Sequence, residues 1–77
     1  MNHYDIQNKP HFYEPREFYG VFPGRTVTEA LASLFYESGH KDIEYCPIND
    51  EITYPNGLDE ATLGTIEDYQ FIKIKTL

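Results

Sequence analysis

The chain has 77 residues, thirteen Asp and Glu against six Lys and Arg, a formal charge of −7 and one cysteine. A single domain of this length buries only about 60–65% of the surface its unfolded chain exposes, which leaves little room for a catalytic cleft beside a core. The charge argues against direct nucleic-acid binding, which needs cations to neutralise phosphates, and one cysteine rules out an intramolecular disulfide.

Residues 1–9 are polar and weakly patterned, either a flexible arm or a first strand over "HYDIQ". From His11 to Phe22 the aromatic residues favour strand. Pro15 interrupts that run, so a hairpin bending near Lys9-Pro10 or Glu14-Pro15-Arg16 is expected. Pro23-Gly24 then breaks the chain, and Thr26 caps a helix running from Val27 to about Ser38. Glu29 is placed to reach back to the Thr26 N–H in a capping box. At 100° per residue, Val27, Leu31, Leu34 and Ser38 form one stripe, flanked by Ala30 and Phe35, and this is the expected core face. Tyr36 falls opposite, beside Glu29, Ala32 and Ser33, where an aromatic ring does not serve the core. Gly39 supplies a left-handed stop.

"IEYCPI" (Ile43–Ile48) reads as a short strand ended by Pro47, with Cys46 as a buried, inert thiol. A small strand over Glu51–Tyr54 lies between turn residues, and "LDEATLGTIEDY" reads either as a helical turn from Asp59 or as a folded loop. "YQFIKIKTL" is the last strand. Alternation puts Ile72 and Ile74 with Gln70 and Thr76 on one face, expected to be core, and Phe71, Lys73 and Lys75 on the other, expected to be outer. The order is that of a single α+β domain over residues 1–77, one helix packed on one face of a small mixed β-sheet.

"VFPGRTVTEAL" resembles the second strand and helix start of the ubiquitin-like (β-grasp) superfamily: Val21, Pro23, the capping Thr26 and branched Val27 match in type and spacing. "DEATL" (Asp59 to Leu63) is similar to that family's segment before its short helical turn, and "FIKI" to its last strand. The resemblance implies a β-grasp-like fold. The sequence ends Lys75-Thr76-Leu77 without the Gly-Gly tail that conjugation or sulfur carriage requires, so the implied role is contact, as an adaptor or a small subunit of a larger complex. In such relatives the exposed sheet face often binds, which would be Phe71, Lys73 and Lys75 here.

No pattern for catalysis, cofactor or metal emerges. His3, His11 and His40 lack ligand spacing, and Cys46 lies near the acids Asp42 and Glu44, an unfavourable setting for a reactive thiolate. "NDEITYPNGLDE" does not match a calcium loop, and no phosphate loop, dinucleotide fingerprint or serine elbow is present. No apolar run suits a membrane span and the N-terminus lacks the shape of a signal peptide, so a cytoplasmic protein without membrane contact is expected. Two features point instead to contact with another protein. Seven Tyr and five Phe are too many rings for so small a core. From Glu29 to Asp68 ten acids face one base, Lys41. That run either keeps the surface soluble or aims a field at a basic partner.

The expected function is a non-enzymatic protein-interaction module. Its binding residues are the aromatics Tyr36 and Phe71, the neighbouring Lys73 and Lys75, and the loop acids Asp50, Glu51, Asp59 and Glu60; self-association is compatible with the same residues. The alternative is an acidic inhibitor of the phage anti-defence type, whose carboxylates stand in for phosphates on a nucleic-acid-binding protein.

Overall fold

The structure, a computed structural model, describes residues 1–9, 17–54, 63–64 and 66–75. In chain order these form β1 (Asn2–Asn8), β2 (Phe18–Gly24), α1 (Val27–Glu37), β3 (Glu44–Cys46), β4 (Glu51–Thr53), a 3₁₀ turn (Ile66–Asp68) and β5 (Tyr69–Ile74). The expected bends near Pro10 and Pro15, and Asp59 and Glu60, lie outside the described residues. The N-terminal segment is a strand, and it is the central one: β2, β1 and β5 make a three-stranded sheet in that order, while β3 and β4 pair separately. α1 packs on one face, so the architecture is α+β as expected. Every described strand pair is antiparallel, which corrects the expectation of a mixed sheet. β5 enters beside the end of β1, with Tyr69 opposite Asn8, and runs back along it to set Ile74 opposite His3.

The expected helix stripe forms the core only in its middle: Leu31 and Leu34 are buried, but Val27 is half-buried, Ser38 beyond the last turn is exposed, and Ala32, expected beside Tyr36 on the outer side, is buried under the segment leading to β3. Ala30, Leu31, Leu34 and Phe35 are buried, with Ala32, and pack with Tyr4, Ile6 and Ile43. Both ends of α1 are closed locally. Thr26 is extended, and its Oγ1 accepts from the Glu29 N–H at 3.2 Å. The Glu29 carboxylate reaches back one residue further than a capping box requires, to the Arg25 N–H at 2.7 Å. At the other end Gly39 adopts φ +110°, its N–H donates to the Tyr36 carbonyl at 3.1 Å, and the His40 N–H donates to Phe35 at 3.0 Å. This is a Schellman closure, which a glycine enters without a Cβ clash.

The face assignment of β5 is corrected. Phe71 is half-buried, pairs with the fully buried Ile6, and sets its ring edge-on to Tyr4 at 6.4 Å. Ile72 and Ile74 are 45% and 39% exposed on the opposite face. The reason is the register with β1. Strand alternation offers two faces, and the one carrying Tyr69 and Phe71 brings two rings to the core against two isoleucines. Tyr69 packs against Phe35 at 5.9 Å and against Tyr19 at 5.7 Å. Tyr19 can point inward because the β1–β2 register shifts between Ile6 and Gln7, inserting an extra residue on β2. The outer face of the sheet therefore carries Val21, Ile72 and Ile74 around Asp5 and His3 of the central strand.

Candidate protein-interaction groove

Because α1 lies on one face of the sheet and continues into the segment leading to β3, one edge of the helix is left partly open. Pro23 and Phe22 of β2 form one wall there. Ala32, Ser33 and Tyr36 of α1 form the floor, and Ile43, just before β3, and Tyr45 within it form the opposite wall. The groove has a volume of about 290 Å³. Ser33 locks the first wall to the helix: its Oγ is 3.1 Å from the Pro23 carbonyl and 3.2 Å from the Glu29 carbonyl, and it can donate to either. Ala32 is buried and Ile43 is 8% exposed, so the interior is apolar.

Glu29 and Glu37 also line the groove. They are eight residues apart on α1, about 12 Å along its axis. Glu29 is engaged: the Arg25 guanidinium donates to it through Nη2 at 2.8 Å and Nε at 3.3 Å. The Arg25 side chain, then the Arg25 N–H, holds this carboxyl below its ordinary value. The same guanidinium lies 6.0 Å from the centre of the Tyr45 ring. Tyr36 is 47% exposed, as expected for its place on the helix, and the Lys41 ammonium sits 4.0 Å from its ring centroid. Neither Glu37 nor Lys41 has an ion pair among the described residues.

The other sequence-predicted residues are scattered. Asp50 closes the helix start: its Oδ1 accepts from the Thr26 hydroxyl and the Tyr45 hydroxyl, each at 2.6 Å, and these two bonds hold its carboxyl below the ordinary value. It does so at φ +53°, a left-handed conformation that Asp tolerates. Glu51 is exposed on β4 on the same face as Glu44 of β3, because Glu51 pairs with Cys46 and Glu44 with Thr53. Cys46 is half-buried rather than buried, being on that outer face. Lys73 and Lys75 are exposed near the end of β5. Phe71 faces the core and is not a neighbour of Tyr36 in the groove. A second cavity of about 570 Å³ lies between α1, β4 and the 3₁₀ turn, with Glu51 and Glu67 among its lining.

Sequence reasoning found Tyr36 but not its surroundings. Phe22 and Pro23 come from one segment and Ile43 and Tyr45 from another, and only the packing of β2 and β3 on α1 brings them together. Lys41 was readable as a cation after a helix stop; the Schellman turn is what returns it to Tyr36. Among the described residues no group of three His, Cys, Asp or Glu could hold a metal ion, and no helix is long and apolar enough to cross a membrane. No protein-family model, curated protein or solved structure gives a significant match to the chain.

Proposed function

We propose that this chain is a non-enzymatic protein-interaction module that engages a basic surface of another protein through the Tyr36 groove and the acids around it. The observation that carries this reading is the groove itself: an apolar floor, an exposed tyrosine with a cation already on its ring, and carboxylates at its margin. An apolar patch edged by charge is the usual anatomy of a protein contact. The charge of −7 favours a partner of opposite sign.

Affinity capture from cells that carry the protein, with the unaltered chain and Tyr36→Ala as parallel baits, tests the reading. A stoichiometric protein that is held at low salt, released at high salt and reduced with Tyr36→Ala supports it. Capture that ignores both salt and the substitution overturns it. Competitive release of the captured protein by duplex DNA would replace it with the nucleic-acid-mimic reading.

A further inference from the structure

We propose that the groove recognises an arginine side chain of a basic protein segment, and that Lys41 is the internal cation which that side chain displaces. The inference rests on the interaction-module reading and names what the module binds. The negative face of an aromatic ring attracts cations, most strongly where water is partly excluded. Two rings beside the groove already carry the chain's own cations: Arg25 at 6.0 Å from Tyr45, and Lys41 at 4.0 Å from Tyr36.

The two ends are not equivalent. Arg25 is fastened to Glu29 by both Nη2 and Nε, and its N–H also donates to that carboxylate. Lys41 is held at Tyr36 without an ion pair among the described residues, on a flexible stem and on an exposed turn. The Tyr36 end is therefore the one that an incoming cation can take. Glu37, which lines the same groove, supplies a carboxylate there, and Ala32 and Ile43 offer apolar surface to the methylene stem. A groove of about 290 Å³ suits one long side chain and is too small for a folded element. Arginine fits better than lysine for three reasons. Its guanidinium is planar, so it can stack on a ring and fork to a carboxylate together; it is less strongly hydrated than an ammonium; and a lysine would meet Lys41 as an equal competitor. The Arg25–Glu29–Tyr45 group shows the same ring-and-carboxylate arrangement holding a guanidinium in this molecule.

The test is a titration of the isotope-labelled chain with acetyl-tri-arginine amide, followed by NMR, with the tri-lysine peptide as comparator. The expected shifts centre on Phe22, Ala32, Tyr36 and Ile43, and tri-arginine binds more tightly than tri-lysine. Tyr36→Ala weakens the tri-arginine complex about three- to tenfold, and Glu37→Gln weakens it as well. Lys41→Gln tightens it, and by more than Lys73→Gln, which makes the same charge change on β5. Equal effects of Lys41→Gln and Lys73→Gln, or shifts spread over Glu44 and Glu51, overturn the groove inference and leave the acidic-surface reading standing. Tri-lysine binding as tightly as tri-arginine overturns the choice of arginine. If neither peptide binds at low ionic strength, the inference and the function it rests on both fall.

Discussion

Among the described glycines, Gly24 is the one where an added methyl group meets backbone most closely. A Cβ built there meets the Ala30 nitrogen at 2.5 Å and the Thr26 carbonyl oxygen at 2.8 Å, both backbone atoms of the helix start. Nothing flexible can give way, so β2 and α1 must separate. We expect Gly24→Ala to destabilise the fold by roughly 1–3 kcal/mol, read as a lowered urea midpoint with an unchanged slope. An unchanged midpoint would mean that β2 does not approach α1 this closely. The sequence marked Gly24 only as a turn glycine after Pro23. The close approach comes from the packing angle between two elements, which no local pattern encodes.

The start of α1 is an element-scale device, because two distant segments converge on it. Thr26 caps it, Glu29 ties it to Arg25, and Asp50 crosses from the β3–β4 turn to accept from Thr26 and Tyr45. The carboxyls of Glu29 and Asp50 are both held below their ordinary values of 4.5 and 3.8. A depressed folded-state value means that the unfolded chain binds protons first as pH falls. The stability these groups add is present above their ordinary values and is lost as pH drops through the folded ones. Both groups are close to solvent, so the effect is modest. Thermal melts are expected to show a midpoint that declines below about pH 4, and Asp50→Asn should flatten that decline. If the slope is the same in Asp50→Asn, the Thr26–Asp50–Tyr45 contacts do not persist in solution.

β5 gives a second test at this scale. Its inward residue is Phe71 and its outward residue is Ile72, the reverse of what alternation suggested. Phe71→Ala is expected to cost roughly 2–3 kcal/mol, below the full range for a completely buried ring. Ile72→Thr should stay within about 0.5 kcal/mol, as for an exposed position. Denaturation of the two variants side by side decides the matter, and a larger loss for Ile72→Thr would restore the original face.

For the whole molecule the governing quantity is charge. Glu44 and Glu51 share the outer face of the β3–β4 pair, away from the groove lining, so under the proposed function they would act on a basic partner through the field rather than by contact. Charges outside a contact centre change mainly the association rate. Glu44→Gln with Glu51→Gln should slow association with a basic partner several-fold and leave dissociation nearly unchanged, as measured by stopped-flow or surface binding kinetics. Binding of the unaltered chain should weaken as added salt shortens the Debye length from about 10 Å to about 3 Å. A rate that ignores both changes would reduce the acids to a solubilising surface.

Much of the local structure was legible before any coordinates. Thr26 and Gly39 marked both ends of the helix, because a cap hydroxyl and a left-handed glycine act within a few residues of themselves. Leu31 and Leu34 were readable as core, since a 3.6-residue period has one apolar side. Tyr36 was readable as outward for the same reason. The acidic run was plain from counting. What the tertiary structure alone decided is every relation between segments: that the N-terminal run is the central strand, that all described pairs are antiparallel, and that Asp50 serves the helix start. A strand period of two has no preferred side when both faces carry large apolar groups, so the orientation of Phe71 waited on its register with Ile6. The groove is a relation of the same kind. Its rings and carboxylates are visible in the sequence as separate residues, and only the packing of β2 and β3 against α1 turns them into one surface.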